Sequence, residues 1–188
     1  MNGEKPLRKL IVSNLMTLDG FFEGPKGLDW VVLDADFFEY AGVLLREAGT
    51  LLFGRKTYEH MAAHWPKAPA DEIAYKMNHL PKVVFSGTLD KVEWNNSTLV
   101  KGDYAKEAEK LKQQDGTGDL VILGSAMLAS HFLQYGLVDE YRVILNPVLL
   151  GGGKPLFPDI KKKISLKLTR TKPLASGVII LYYAKTEK

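Results

Sequence analysis

Short apolar runs alternate along the chain with segments whose apolar residues return at the three- and four-residue spacing of a helix. The clearest pair joins an aliphatic run at 120–123 to a helically spaced segment at 128–133. An unbroken run of this kind predicts a strand buried on both faces of a sheet. The chain passes from strand to helix at Gly124-Ser125, where serine is a good N-cap and glycine lets a ligand approach the backbone. Such a turn suits a phosphate, although many glycine turns of α/β proteins serve only the bend.

The same alternation of strand and helix extends through the first two thirds of the chain. It predicts a largely parallel sheet with helices on both faces and with ligands at the carboxyl ends of the strands. Gly54, Ser86 and Gly124 would then lie on one edge of the sheet. The predicted strands are 9–18, 51–53, 81–88 and 119–123, and the predicted helices are 34–48, 58–65, 105–111 and 125–133.

The C-terminal third has a different pattern, in which helical spacing stops and strand-like segments follow one another. Strands are predicted at 141–150, 165–172 and 177–184, with a glycine-rich connection at 151–155. They predict an antiparallel edge on the parallel sheet. We therefore expect an α/β fold with a single domain over residues 1–188.

The segment 141–157 is more apolar than an exposed sheet edge normally is. Uncovered strand edges pair readily with other chains. We expect a homodimer through this antiparallel edge, with on the order of 800 Å² buried per partner. The alternative is that the closing strands of the same chain cover the segment.

A long loop is predicted after the first strand. Asp19-Gly20 is a turn signal, and the aromatic pair Phe21-Phe22 precedes a glycine-rich stretch at 24–27. Two rings beside such a stretch indicate either a lid that closes over a ligand or a surface loop that the rings attach to the core.

Composition removes several classes of function. The chain has no cysteine, which excludes disulfides, thiol nucleophiles, cysteine-ligated zinc and iron–sulfur clusters. The net charge is +3 and the lysines are scattered, so we expect no nucleic-acid partner. The first ten residues are polar and no apolar run approaches the roughly 18 residues of a spanning helix, which predicts a cytoplasmic protein without membrane contact. His60 and His64 have helical spacing but no evident third ligand, so we expect no metal.

Candidate chemistry follows three of the predicted strands. Arg55 and Lys56 offer positive charge, Ser86 offers a hydroxyl, and Gly124-Ser125 offers backbone donors. Cations at the positive end of a helix dipole are unfavourable unless an anion compensates them, although a solvated helix start would explain them as well. The combination suits a dinucleotide that carries a 2′-phosphate, which favours NADPH over NADH.

The residues that carry this chemistry belong to longer motifs. As a set, over residues 10–183, these motifs resemble the dihydrofolate reductase superfamily, in particular the branch related to the reductase domain of riboflavin biosynthesis. The motifs are Leu-Leu-Phe-Gly54-Arg55-Lys56-Thr57-Tyr58, Val-Val-Phe-Ser86, Ile-Leu-Gly124-Ser125, Val138-Asp139-Glu140, Met16-Thr17-Leu18-Asp19-Gly20 and Asn146-Pro147-Val148-Leu149-Leu150-Gly151-Gly152.

The resemblance implies a three-layer dihydrofolate reductase-like fold with NADPH across the central sheet and a small-molecule substrate beside it. It implies that the adenosine phosphates contact Gly54, Arg55, Lys56 and Thr57, that the 2′-phosphate contacts Ser86, and that the pyrophosphate lies at Leu123, Gly124 and Ser125. The peptide between the last two would be strained. The nicotinamide would lie near Leu15, and the substrate would face Asn14, Trp30 and Asp36.

Two departures from the family pattern leave the substrate open. Riboflavin reductases usually carry glutamate before the paired glycine, where this chain has Leu123, and the zinc deaminase domain often fused to them is absent. The acid that would bind the substrate or assist its protonation is Asp36 or Asp34. Two functions follow: an NADPH-dependent reductase acting on a conjugated C=N or C=O of a small heterocycle or sugar, or a non-catalytic nucleotide binder on the same fold.

Overall fold

The computed structural model describes residues 7–186. Its strands are β1 (Leu10–Thr17), β2 (Phe21–Glu23), β3 (Ala48–Gly54), β4 (Lys82–Phe85), β5 (Ser97–Val100), β6 (Asp119–Leu123), β7 (Glu140–Asn146), β8 (Lys154–Pro155), β9 (Leu166–Pro173) and β10 (Ile179–Lys185). Its helices are α1 (Ala35–Glu47), α2 (Arg55–His64), α3 (Glu72–His79), α4 (Tyr104–Gln113) and α5 (Ala126–Gln134), with a 3-10 turn at Trp65–Lys67.

Eight of the strands form one sheet in the order β5-β4-β3-β6-β1-β7-β10-β9. The first six are parallel to their neighbours, whereas β10 pairs antiparallel with both β7 and β9. The predicted parallel sheet with an antiparallel C-terminal edge is therefore confirmed. Strands β2 and β8 form a small second sheet.

Two hydrophobic cores lie on opposite faces of the sheet. Helices α4 and α5 cover one, and α1, α2 and α3 cover the other. The aliphatic run of β6 has no polar position because both faces of the strand are covered. Leu120 and Ile122 face the first core, and Val121 faces the second. The predicted helices on both faces are confirmed.

The sequence pattern did not predict β5 or α3. The pattern assigns no element to residues 97 and 98, but they begin an edge strand that pairs with β4. None of the four residues of β5 is buried, so the strand lacks the apolar run by which buried strands are recognised. Helix α3 buries only Ala74 and Met77, which leaves little helical periodicity to detect.

The argument for an uncovered edge at 141–157 was wrong. Strand β7 lies between β1 and β10, so the closing strands of the same chain cover it. Val143 and Leu156 are buried in the core, whereas Leu149 is 71% exposed. On this side of the sheet the open edge is β9, which is mostly exposed. The homodimer itself stays a prediction.

Candidate cofactor-binding site

The carboxyl ends of β3 and β6 are joined by one hydroxyl group. Ser125 Oγ accepts a hydrogen bond from the Gly54 N–H at 2.8 Å and donates one to Thr57 Oγ1 at 2.7 Å. A side chain on Gly54 would lie 3.1 Å from that oxygen, so the close approach favours glycine. Four residues that the sequence predicts at the cofactor phosphates, Gly54, Thr57, Gly124 and Ser125, thus come together at one point of the sheet edge.

The backbone of the Gly124-Ser125 turn is left-handed at both residues, with φ of 74° and 56°. Only glycine adopts this conformation without steric cost, and Ser125 is one of three non-glycine residues with positive φ in the described part of the chain. The peptide bond between the two residues is trans, and the positive φ of Ser125 is the unusual feature of this turn.

Ser125 occupies the N-cap position of α5, but its hydroxyl makes no capping hydrogen bond. The sequence predicted a capping role for this serine, whereas its oxygen is engaged by Gly54 and Thr57. The N–H groups of the first turn of α5 are therefore left without the side-chain cap that a serine normally supplies. A helix start of this kind can accept an anion.

Phe22 lies next to this turn and belongs to the loop predicted to be either a lid or a surface loop that its rings attach to the core. A Cβ atom on Gly124 would sit 3.4 Å from Thr57 Cγ2 and 3.6 Å from Phe22 Cζ. The loop is held by two short strands, since β2 pairs with β8, and by the Leu156 N–H, which donates to the Gly20 carbonyl. The aromatic loop is thus anchored to the glycine-rich connection at 151–155.

Asp19, which the sequence predicts only as part of a turn, provides a second anchor for this loop. Its carboxylate accepts hydrogen bonds from Thr17 Oγ1 at 2.6 Å and from the N–H groups of Leu150 and Gly151 at 2.9 and 2.7 Å. The Thr17 hydroxyl and then these N–H groups lower the pKa of Asp19. The two motifs most similar to the riboflavin branch, 16–20 and 146–152, are therefore in direct contact.

Asn14 was predicted to face the substrate, but its side chain is inside the protein and only 1% of the residue is exposed. With its amide nitrogen facing two carbonyls, it donates to Ser13 O and Gly124 O at 3.0 Å each. Its amide oxygen then accepts from the Tyr141 hydroxyl at 3.2 Å. Asn14 thus connects β1 to the Gly124-Ser125 turn from inside the protein.

The predicted cations lie on the first turn of α2. Arg55 and Lys56 are both exposed, and Arg55 Nη1 lies 3.8 Å from Glu59 Oε1. An exposed pair at this distance contributes little to stability, so both cations remain available to a ligand.

Ser86, at the end of β4, is buried, and its hydroxyl binds the backbone of the residues that follow. Its Oγ accepts hydrogen bonds from the N–H groups of Thr88 and Leu89 at 3.2 and 3.0 Å. Lys101 follows the neighbouring strand β5, and it was missed because no strand was predicted there. Lys101 follows Val100, whose carbonyl accepts the Ser86 N–H, so it lies beside Ser86 at this edge, and its Nζ is 3.6 Å from Asp90 Oδ1.

Both candidate acids bind backbone N–H groups near the start of α1. Asp34 is the N-cap, and its Oδ1 accepts from the Phe37 N–H at 2.8 Å. Asp36 Oδ2 accepts from the Ala175 N–H at 3.1 Å, in the turn between β9 and β10. Each carboxylate therefore has a backbone N–H partner.

The remaining predicted residues lie around the carboxyl ends of β1 and β6. Leu15 and Leu123 are half-buried at the edge of the core that α1 covers. Trp30 is half-buried, and its Nε1 donates to the Gly27 carbonyl at 3.1 Å. The ring also lines the space next to Gly24, opposite Leu150, so it belongs to the anchored loop.

Residues 7–186 contain neither a candidate metal site nor a helix that could span a membrane. No group of three histidine, cysteine or acidic residues there could hold a metal ion, and His60 and His64 have no third ligand among them. No helix in the same range has the length and apolar character needed to cross a membrane.

Comparison with known proteins agrees with this fold. The chain is 36% identical over 183 residues to the uncharacterized protein YyaP of Bacillus subtilis (strain 168), covering 94% of each chain. Its fold matches a Shewanella sp. PV-4 protein provisionally named a riboflavin biosynthesis protein, with 24% identity, a TM-score of 0.77 and coverage of 95% and 99%. It also matches the dihydrofolate reductase of Enterococcus faecalis, solved with NADP(H), at 16% identity, a TM-score of 0.65 and coverage of 95% and 97%.

The parallel sheet, the antiparallel edge and these neighbours define the protein as one with a dihydrofolate reductase-like fold. Within that class, the family model of the RibD C-terminal domain matches residues 8–180. The chain therefore belongs to the RibD C-terminal domain family.

Proposed function

We propose that this protein is an NADPH-dependent reductase that transfers hydride to a small heterocyclic, pterin- or pyrimidine-like, or carbonyl substrate. The observation that carries the proposal is the left-handed Gly124-Ser125 turn, whose serine hydroxyl is engaged by Gly54 and Thr57. With that hydroxyl engaged, the first backbone N–H groups of α5 are available to a pyrophosphate.

The adenosine end of the cofactor extends along the strand ends from this turn. Arg55 and Lys56 supply charge for the phosphates, and Lys101 adds to it. Ser86 Oγ accepts hydrogen bonds from two N–H groups, yet its own proton can still be donated to an oxygen of the 2′-phosphate. Three cations around one edge favour the phosphorylated cofactor.

The cofactor supplies the hydride when bound, and the side chains around the ends of β1 and β6 orient the two reactants. Leu15 borders the nicotinamide, Trp30 offers a flat ring to a heterocycle, and Asp36 anchors or protonates the substrate. Asn14 is too deeply buried to contact the substrate, and it contributes from behind the turn instead.

The direct test is absorbance at 340 nm with the purified protein, NADPH and a panel of pterins, aminopyrimidines, conjugated imines and small carbonyl compounds. A reductase oxidises NADPH steadily with at least one of them. The alternative, a non-catalytic NADPH or nucleotide binder, gives saturable NADPH binding without turnover on any member of the panel.

Arg55→Ala should weaken NADPH binding roughly tenfold or more while leaving NADH nearly unaffected, because a charge-assisted contact to the 2′-phosphate contributes about 1.5–3 kcal/mol. Fluorescence titration with both cofactors measures the two dissociation constants. Arg46→Ala is a matched control. Arg46 is also exposed, but it lies at the end of α1 and pairs with Glu72. Equal losses for NADPH and NADH would remove Arg55 from the 2′-phosphate.

Asp36→Asn should lower kcat and change the pH-rate profile while leaving the fold intact. The asparagine oxygen can still accept the Ala175 N–H, so the substitution removes the negative charge and the titratable proton but keeps that hydrogen bond. Steady-state kinetics across pH measure the effect. An unchanged profile would pass the role to Asp34, to water or to the substrate itself.

A further inference from the structure

Asn14 is a buried polar residue that cannot contact a ligand. Its side chain nevertheless binds the backbone of the turn that forms the proposed phosphate site. Its amide nitrogen donates to Ser13 O and Gly124 O, each at 3.0 Å, and its oxygen accepts from Tyr141 at 3.2 Å. Both carbonyls are acceptors only, so only the nitrogen of the amide can satisfy them. Burial raises the pKa of Tyr141, so its hydroxyl keeps the proton that it donates to Asn14.

The consequence for the turn follows from the planarity of the peptide. In a trans peptide the C=O of one residue and the N–H of the next point in opposite directions. The Gly124 carbonyl is drawn inward by Asn14, so the Ser125 N–H must point outward, away from the core. The Ser125 hydroxyl cannot take over this task, because Gly54 and Thr57 already engage it.

We propose that Asn14 is the positioning residue of the phosphate-binding turn. By holding the Gly124 carbonyl inward, its amide directs the Ser125 N–H toward the pyrophosphate of the cofactor, and Tyr141 fixes which way the amide faces. This inference rests on the proposed function, because it takes the turn to be the dinucleotide site.

Asn14→Asp tests the inference with almost no change of shape. At pH 8 the carboxylate places a negative oxygen against two carbonyls, so the Gly124 peptide is released and NADPH binding should weaken about tenfold or more relative to wild type. Burial raises the pKa of such a carboxyl group, and once protonated it can donate to one carbonyl again. The ratio of variant to wild-type dissociation constants should therefore fall as the pH decreases from 8 to 5.

The 15N–1H resonance of Ser125, measured without cofactor, gives a second readout. In the Asp variant it should shift with pH at the same midpoint as the NADPH ratio, whereas the wild-type resonance should show no matching transition. Asn78→Asp is the control, because Asn78 also uses both ends of its amide, to Trp65 O and Trp94 Nε1, but lies on α3, on the face of the sheet opposite to α5. This control should lose stability without changing the NADPH ratio.

The outcomes separate the two proposals. If wild type binds NADPH and the Asp variant binds equally well at pH 8, the inference is overturned while the proposed function stands. If wild type does not bind NADPH, the proposed function fails, and a Ser125 resonance without a pH transition in the variant then overturns the role of Asn14 as well. Should the Asp variant not fold, Tyr141→Phe must still weaken NADPH binding several-fold, and unchanged binding would contradict the inference.

Discussion

Gly124→Val is expected to abolish binding of both NADPH and NADH. The backbone at this position has φ of 74°, which a β-branched residue adopts only at a cost of about 1–3 kcal/mol. Its Cβ would also lie 3.4 Å from Thr57 Cγ2 and 3.6 Å from Phe22 Cζ, in the space beside the turn. Because the pyrophosphate is proposed to contact this backbone, the loss should be the same for the two cofactors. Fluorescence titration of the variant measures it.

The control for this change is Gly136→Val, at the other end of the same helix. Gly136 has a similar φ of 68°, and its Cβ would meet the flexible end of Lys185 at 3.1 Å. This variant should lose comparable stability but keep its cofactor affinity. If Gly124→Val is folded and still binds NADPH at the wild-type affinity, the turn is not the phosphate site.

Lys82→Met should lower the free energy of unfolding by about 2–4 kcal/mol, although lysine substitutions usually have small effects. Lys82 is only 1% exposed, and its ammonium group donates to the carbonyls of Asn78, Leu80 and Asn95 at 3.1, 2.8 and 3.0 Å. The ammonium also lies 4.5 Å from the centre of the Trp94 ring. Methionine keeps the apolar stem but leaves three carbonyls without their donor. Chemical denaturation of both proteins measures the difference.

The difference in the free energy of unfolding between wild type and Lys82→Met should depend on pH. Burial lowers the pKa of Lys82 from 10.5 to about 8. Between these values the unfolded chain binds more protons than the folded one, so the wild-type free energy of unfolding rises with pH relative to the Met variant, by at most about 1.4 kcal/mol per unit. The stability gap should therefore widen from pH 8 to pH 10.5. A gap that narrows would mean that the three carbonyls stabilise the ammonium more than burial penalises it.

Lys91→Met provides the matched lysine control. Lys91 is 75% exposed at its side chain and pairs with Glu93 in the loop that follows β4. Its removal should leave the free energy of unfolding nearly unchanged, because an exposed pair is screened by water.

The sequence predicted those parts of the fold that local pattern controls. The run at 120–123 had to be a strand buried on both faces, and the glycine at its end had to begin the turn into α5. Edge strand β5 could not be found in this way, because its half-exposed residues give no apolar run. Lys101 was missed for the same reason, because its position depends on the pairing of β5 with β4.

The role of buried polar groups could not be read from the sequence, because each depends on partners far away along the chain. Asn14 is hydrogen-bonded to Tyr141, 127 residues away in the sequence, and Asp19 is hydrogen-bonded to Leu150, 131 residues away. The resemblance led us to place Asn14 toward the substrate, since position along a strand does not say which face its side chain takes. An asparagine within the predicted first strand, otherwise strongly apolar, was the one available signal of a buried amide.

Calorimetric titration of the purified protein with NADPH and, in parallel, with NADH tests the central claim most directly, which is that the ends of β3, β4 and β6 bind the phosphorylated dinucleotide. The account predicts saturable binding of one NADPH per chain, tighter than NADH by roughly tenfold or more, as expected for a charged contact to the 2′-phosphate. Absence of saturable heat at millimolar NADPH, or equal affinity for the two cofactors, would contradict it.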